Sequence, residues 1–467
     1  QRLSVKEWTK SLKSGKAKLM TTTAPLERLM MDFITHVQEG LIEALPEIIR
    51  QYHGEKSAGS LSEMEQAIKC MSHRLGNAVM RQWLKEQEEE YPADEQRCGC
   101  GKQARYVRRR KGVIITLQGR VDYQRTYYLC EHCQHGHYPL DERLGIVPGE
   151  MSEEVIRQAA SLGIEDAFET SSQKLAELTL LELSPNSIRK ASLVMGERAH
   201  QQEQAKIAHS QALDSQLEHR RVSIKPDRLY GSMDGFMVCL EDGWHEMKAG
   251  AWWTTSTRKD GTLKAQNMAY YVDLLAAEDF ANLVWATGFE RLADQAKELV
   301  FVADGAEWIW RIVERHFPQA VQIVDWYHAC QYLAPLALVA FSNPDERQRW
   351  LHSVKGLLWE GHIDEVIDAC TQLINLARPD DPARKAITYY TNNRLRMDYA
   401  TFRARGYMIG SGSMESGCKQ IGFERLKIAG ARWSVEGARK VAKARAAYLS
   451  RQWHSLTPDW STLPQVA

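Results

Sequence analysis

Cys98-Gly99-Cys100-Gly101 and Cys130-Glu131-His132-Cys133 form two close cysteine pairs, twenty-nine residues apart. The segment between them reads as strands at Val113 to Leu117 and Val121 to Tyr128. Two thiolate pairs on tight turns can close around one tetrahedral ion, with glycine relieving the turn. The spacing predicts a zinc ribbon in which Cys98, Cys100, Cys130 and Cys133 hold a structural Zn2+ and the strands between them form its hairpin. Four unrelated free thiols are the alternative, and His132, His135 and His137 compete as ligands for the place of Cys100 or Cys133. Nine cysteines in 467 residues is an odd number, which argues against a secreted disulfide framework.

The same hairpin is basic. Lys102, Arg105, Arg108, Arg109, Arg110, Lys111, Arg120 and Arg125 outnumber Asp122 and Glu131, and Tyr106, Tyr123, Tyr127 and Tyr128 are interleaved with them. Over the whole chain 60 Lys and Arg balance 60 Asp and Glu, so a surface for a polyanion has to come from such local clustering. Arg108, Arg109, Arg110 and Lys111 are therefore candidates for contacting a phosphate backbone, with a solvated basic hairpin as the plainer reading.

Around this hairpin the pattern is helical. Leu26, Leu29, Met30, Phe33, Ile34 and Val37 recur at helical spacing, and Met64 to Trp83 behaves similarly. Two further helical runs, Ser171 to Leu181 and Asn186 onward, are broken at Leu183-Ser184-Pro185. This pair is compatible with a helix-turn-helix whose Ser187, Arg189 and Lys190 face a groove, as it is with any two helices joined at a proline. From Arg228 the pattern turns to strands: Leu229 to Leu240, Trp244 to Trp253 and Met268 to Leu275. A helix is expected at Glu290 to Leu299, buried strands at Leu299 to Ala303 and Val321 to Asp325, and helices at Gly305 to His316 and His328 to Phe341. Residues 344–400 read as polar helix, and a basic helical segment follows the Gly/Ser-rich stretch Gly406 to Gly417 and runs to Arg451. The polar start Gln1 to Ser4 and the short apolar runs predict neither an export signal nor a membrane span.

Three acids stand out by position. Asp234 sits inside a strand in Met233-Asp234-Gly235, Asp304 ends an apolar strand in Val302-Ala303-Asp304-Gly305, and Glu415 lies where a helix should start in Gly412-Ser413-Met414-Glu415-Ser416-Gly417. A carboxylate in or at the end of a buried strand is costly unless it meets a cation or a donor. Hard divalent ions take oxygen ligands, and two such ions activate the attacking oxygen and stabilise the leaving one in displacement at phosphorus. Taken singly, Asp304-Gly305 would equally be a turn or a helix cap. The β-β-β-α-β-α-β-α order, with Asp234 on the first strand and Asp304 after the fourth, is that expected of a ribonuclease-H-like core.

At these motifs the chain resembles the DDE-type insertion-sequence transposases, specifically the ISKra group related to the Mutator-like branch. The resemblance is carried by Met233-Asp234-Gly235, Val302 to Trp310, Asp325-Trp326-Tyr327-His328-Ala329, Gly410 to Lys419 and Ala431-Arg432-Trp433-Ser434, with the upstream knuckles, Pro139-Leu140-Asp141 and Leu144-Gly145. It spans about residues 96 to 450. It implies that Asp234, Asp304 and Glu415 are the catalytic triad binding Mg2+ or Mn2+, and that residues 344–400 form a helical insertion before the glutamate. Asp325-x-x-His328 looks like the Cys/Asp-x-x-His motif of the Mutator-like branch. His328 would then hold the scissile phosphate or a leaving 3′-oxygen; a helix-capping or packed histidine is the alternative. Lys419 and Arg432 are further DNA-contact candidates, Lys419 having an i, i+4 pair with Glu415 as its plainer role. The basic residues from Lys419 to Arg451 suit a DNA-facing helix.

The expected architecture is thus α+β and multidomain. A helical region (1–95), a zinc ribbon (96–145) and a helix-turn-helix-like DNA-binding segment (146–220) precede the core. The first part of the core (221–343) is followed by the helical insertion (344–405) and by the helix carrying Glu415 with a basic C-terminal segment (406–467). The expected function is a DNA transposase that binds terminal inverted repeats and performs Mg2+-dependent strand cleavage and strand transfer. It would act as a homodimer or larger assembly on double-stranded DNA, in the bacterial cytoplasm at the nucleoid. The alternatives are a non-catalytic zinc-ribbon DNA-binding regulator and a ribonuclease-H-like nuclease that does not join strands.

Overall fold

The computed structural model describes residues 60–456 apart from 90, 92–93, 148 and 375–380, together with a few positions between 34 and 46. The first helical run read from the sequence, Leu26 to Val37, lies almost entirely outside the described residues. The chain is mixed α+β with two sheets and divides into two compact units: 1–155 with 173–183, and 156–172 with 184–467. No helix among the described residues is long and apolar enough to cross a membrane.

In the first unit, helix α1 (Leu61–Glu89) begins at a reciprocal cap: Glu63 N–H donates to Ser60 Oγ (3.3 Å) and Ser60 N–H to Glu63 Oε2 (3.1 Å). A four-stranded antiparallel sheet follows, ordered β1 (Glu95–Arg97), β2 (Gln103–Thr116), β3 (Gly119–Leu129) and β4 (Gly136–His137). Strands β2 and β3 make a long hairpin with Thr116 opposite Gly119, and its register shifts between Tyr106 and Arg108. Helix α1 lies on this hairpin, where Asn77 Nδ2 donates to the carbonyls of Gln118 (2.7 Å) and Arg120 (3.0 Å). Leu84, Ile114, Val121, Tyr123 and Leu140 fill the space beneath, the last from α2 (Pro139–Leu144).

The second unit is built on a five-stranded sheet ordered β7-β6-β5-β8-β9, from β5 (Arg228–Leu240), β6 (Gly243–Thr257), β7 (Leu263–Asp273), β8 (Glu298–Ala303) and β9 (Val321–Val324). The first three run antiparallel; β8 and β9 run parallel to β5. Parallel neighbours need crossover helices, supplied here by α7 (Ala277–Glu290) and α8 (Glu307–His316). The middle strands are buried through Trp252, Trp253, Tyr230, Phe301 and Val302. The strand-strand-strand-helix-strand-helix-strand-helix order read from the sequence is the observed one.

Several boundaries differ. The helix expected at Glu290 to Leu299 is α7, which starts at Ala277 with Glu278 and Asp279 in its first turn and buries Phe280, Leu283 and Val284. The turn after it carries Leu292 at φ 58°, which breaks the helix before β8. The expected helix His328 to Phe341 is two, α9 (Trp326–Gln331) and α10 (Leu333–Ala340). The segment 344–404 is helical, comprising α11 (Pro344–Trp359), α12 (Ile363–Thr371), α13 (Pro382–Asn393) and α14 (Tyr399–Ala404) among its described residues. The expected continuous basic helix to Arg451 is instead α15 (Gly412–Cys418), a π-helical stretch Lys419–Leu426, a loop, and α16 (Val435–Leu449).

That last segment also departs from a DNA-facing stripe. Lys443 is 1% exposed and is ion-paired with Glu203 and with Asp273 (2.8 Å); Arg439 reaches Asp273 as well (3.0 Å). Glu203 comes from α5 (Pro185–Gln211) and Asp273 from β7, so these charges tie three elements together. Arg445, also buried, donates to the carbonyl of Ile164 (2.8 Å) and pairs with Glu165 (3.0 Å), beside α3 (Glu153–Gly163). Periodicity cannot distinguish a cation facing solvent from one facing buried carboxylates.

Candidate functional site

In the first unit the four cysteines of the two knuckles meet. Cys98 Sγ lies 3.6 Å from Cys133 Sγ and Cys100 Sγ 3.7 Å from Cys130 Sγ, and all four sulfurs fall within 4.8 Å of one another. Four sulfurs at the zinc–thiolate bond length around a tetrahedral centre stand about 3.8 Å apart, so the donor set fits such an ion. Each pair is held on a turn: Gly101 N–H donates to Cys98 O with Gly101 at φ +83°, and Cys130 N–H donates to His135 O with Gln134 at φ 57°. Of the two glycines beside the first pair, only Gly101 has the left-handed conformation. The backbone N–H groups of Cys133 and His132 stabilise the Cys130 thiolate and hold its pKa down to about 7. His132 and His135 are exposed, and His137 packs instead against Tyr128 and stands 3.7 Å from Glu142.

On the same hairpin Arg108, Arg109 and Lys111 are exposed. Arg110 is half-buried, with its guanidinium 4.8 Å from the Tyr127 ring centre. In the second unit, Ser184 caps α5 by accepting from Ser187 N–H (3.2 Å), and Arg189 and Lys190 are exposed one turn further on. Arg189 lines one cleft together with Arg432.

The carboxylates gather where the five-stranded sheet meets α9 and α15. Asp234 lies in β5 opposite Ala249, with Oδ1 accepting from Gly235 N–H (2.7 Å). Asp304 directly follows β8, with Oδ1 accepting from Ala306 N–H (2.9 Å). Burial pushes both acids above the usual carboxylate range; the charge of Asp304 raises Asp234 further, and those of Glu246 and Asp325 raise Asp304. The charge of His328 lowers both.

Asp325, at the end of β9, caps α9: its Oδ1 accepts from His328 N–H (2.9 Å), and its Oδ2 accepts from Ser411 Oγ (2.8 Å) and Ser411 N–H. Burial alone would raise this carboxyl, but these hydrogen bonds and His328 hold it below its ordinary value. Ser411 immediately precedes α15, so the cap of one helix also fixes the start of the next. Glu415, half-exposed on α15, brings Oε1 to 3.7 Å from His328 Nδ1, which lies 3.4 Å from Asp325 Oδ1. Contact with Asp325, then the charges of Asp304 and Glu415, raise the His328 pKa despite its burial.

All five residues singled out around this chemistry are therefore electrostatically linked. The tight group of potential metal ligands is Asp325, His328 and Glu415. Asp234 reaches α15 through Cys418, which shares that helix with Glu415. Both oxygens of Asp325 are engaged by the protein, whereas Asp234 and Asp304 each commit Oδ1 to a backbone N–H, and among the described residues neither of these two acids belongs to a group of three potential ligands within 4.8 Å of one another. Lys419 is exposed at the start of the π-helical stretch, and Glu415 turns to His328 rather than to it.

The sequence reading missed the rest of the surroundings. A cleft of about 590 Å³ beside Asp304 and His328 is lined by Tyr332, Lys385 and Tyr389, the last two from α13. Tyr332 and Tyr389 stack at 3.8 Å, and Gly305 must be glycine because a Cβ there would lie 2.1 Å from the Tyr389 ring. Glu246, ion-paired with Lys248 (2.7 Å), crosses over Gly235. Tyr332, Lys385, Tyr389, Glu246 and Lys248 belong to no local motif, and only the Tyr389-Tyr390 pair within a polar helix offered a signal.

The profile of UPF0236, described as an uncharacterised protein family, matches residues 55–454, and the chain belongs to that family. A UPF0236 protein of Caldanaerobacter subterraneus subsp. tengcongensis, whose name joins eleven locus designations, is 24% identical over 407 residues, or 84% of this chain and 78% of its own.

Proposed function

We propose that this UPF0236 protein is a DDE-type transposase, which binds the terminal inverted repeats of its element, cleaves a phosphodiester to free a 3′-hydroxyl, and joins that hydroxyl to target DNA. One observation carries the reading: Asp234 on the first strand of the sheet, Asp304 just after the fourth and Glu415 on a later helix all lie within electrostatic reach of His328, with Glu415 Oε1 3.7 Å from its Nδ1. The strand order β7-β6-β5-β8-β9 agrees with a ribonuclease-H-like core, and α11 to α14 stand in the chain where such a core takes its insertion. A relative whose name spans eleven loci of one genome supports it too, since a sequence that copies itself leaves such multiplicity.

Mg2+ or Mn2+ held by Asp234, Asp304 and Glu415 would activate the attacking oxygen and stabilise the leaving one. Asp234 lies in β5 and Asp304 just after β8, with one oxygen of each oriented by a backbone N–H, of Gly235 and of Ala306 respectively. Asp325 orients His328 and favours its protonated form, so that its ring can donate to a phosphate oxygen. Tyr332, Tyr389 and Lys385 wall the cleft into which the DNA strand enters. The four knuckle sulfurs take a structural Zn2+ that rigidifies the basic hairpin, whose Arg108, Arg109 and Lys111 meet the phosphate backbone. Two element ends are cut and joined together, so the acting species is a homodimer or larger assembly on DNA.

The test uses labelled DNA carrying the ends that flank the gene, with Mg2+ and the full chain. Nicking and strand-transfer products are expected from the wild type, and Asp234→Asn, Asp304→Asn and Glu415→Gln should bind without cutting. Wild-type binding without nicking overturns the reading in favour of a regulator, and nicking without joined product in favour of a nuclease.

A further inference from the structure

A second cleft, of about 530 Å³, lies in the same unit and is lined by Phe168, Arg189, Glu241, Arg425, Arg432 and Trp433, among others. Arg425 is 2% exposed. Its Nε donates to Gly163 O (2.8 Å), and its guanidinium lies 4.5 Å from the ring centre of Phe168 and 4.9 Å from that of Trp433. Its Nη2, also buried, donates to nothing. A buried guanidinium nitrogen without an acceptor is costly, and native structures rarely keep one without a reason. Burial and the nearby Arg445 pull its pKa down to about 10, with Asp166 opposing only in part. Across the cleft, three guanidiniums stand against the single carboxylate of Glu241. The loop carrying Arg432 is pinned to the end of β5 by Glu241 N–H donating to Trp433 O (3.0 Å) and Trp433 N–H to Cys239 O (3.2 Å), while Trp433 Nε1 donates to Leu426 O (3.0 Å).

We infer that this cleft is a phosphate-binding subsite in which Arg425 Nη2 is the inner donor and Arg189 and Arg432 are the outer ones, and that its occupant is a backbone phosphate of the DNA. Guanidinium donors on a rigid frame suit phosphate geometry, and a phosphate oxygen supplies the acceptor that Nη2 lacks. The identity of the occupant rests on the transposase reading; the phosphate chemistry of the cleft does not.

The experiment measures anisotropy of a labelled duplex over a salt series and calorimetric binding of inorganic phosphate, using full-length wild type, R425M, R432A and R189A. R425M is expected to stay folded, because methionine removes a buried unpaired charge while filling much of its volume; the exposed R432A and R189A keep the test open if it does not. Support is a loss of duplex affinity of about tenfold or more in R425M, with each variant lowering the salt slope by about one unit, while Mn2+ binding at the acids, read by paramagnetic resonance, is unchanged. Wild-type duplex binding with unaltered affinity and slope in all three variants overturns the subsite and leaves the transposase reading standing. Phosphate binding lost in R425M, with no duplex binding by the wild type, overturns DNA as the occupant and assigns the cleft to free phosphate. Binding of neither ligand by the wild type overturns the inference outright.

Discussion

His328 Nδ1 lies 3.7 Å from Glu415 Oε1, joining a residue of α9 to one of α15 across a long helical segment of the chain. The contact exists because Asp325 caps α9 with one oxygen and receives Ser411, at the start of α15, with the other. A single buried carboxylate thus sets the geometry of two candidate catalytic side chains.

Removing that carboxylate should therefore act on both. Asp325→Asn is expected to leave DNA binding intact and to lower strand cleavage by about a hundredfold, an effect in the range seen when a residue that orients catalytic groups is lost. Gel analysis of cleaved product against bound DNA checks this, and cleavage at the wild-type rate would sink it.

Direct loss of a carboxylate from the triad should cost more. Asp234→Asn, Asp304→Asn and Glu415→Gln are each expected to lower cleavage by about a thousandfold, since ions so placed contribute several kcal/mol to the transition state. Single-turnover cleavage in Mg2+ and in Mn2+ measures the loss.

The His328 pair makes stability depend on pH in a defined direction. The folded His328 pKa is raised above its ordinary 6.5, so its stabilisation is complete below 6.5 and is lost as pH rises through the folded value. The folded Asp325 pKa is depressed below 3.8, so its stabilisation is present above 3.8 and is lost as pH falls through the folded value. The difference in melting temperature between wild type and His328→Gln, without added metal, should be largest near about pH 6 and shrink as pH rises. A difference that grew with pH would contradict the assignment.

The buried ion network predicts a loss of stability unrelated to chemistry. Lys443→Met leaves Glu203 without its ion-pair partner and Asp273 with Arg439 alone, and about 3–5 kcal/mol of stability should go with it. Denaturant unfolding of Lys443→Met, Glu203→Gln and the double variant would show strong coupling between the two positions.

In the first unit, Cys130→Ser or exposure to a strong chelator should release about one equivalent of zinc per chain. The basic hairpin should open with it, because Cys98 and Cys130 form a small buried core with Ala104 and Tyr128. A colorimetric zinc assay and limited proteolysis between residues 96 and 145 follow both events.

The parts legible in the chain were those with a local signature. Strand periodicity and terminal acids placed Asp234 and Asp304 on the first strand and after the fourth, and the Cys-Gly-Cys and Cys-x-x-Cys turns announced a four-sulfur cluster. The same local reading misjudged the helix before β8 and the basic C-terminal segment. Helix ends depend on caps and left-handed residues such as Leu292, and the exposure of Lys443 and Arg445 depends on partners far away in sequence.

What the order of residues settles is which side chains are available and which short elements carry them, because backbone periodicity and turn chemistry act over a few residues. Which of those side chains meet is a matter of long-range packing. The placing of Glu415 against His328, the wall that Tyr389 and Lys385 give to the cleft, and the conversion of a basic stripe into a buried ion network all arise from burial excluding water, so that charges widely spaced in the chain must find one another.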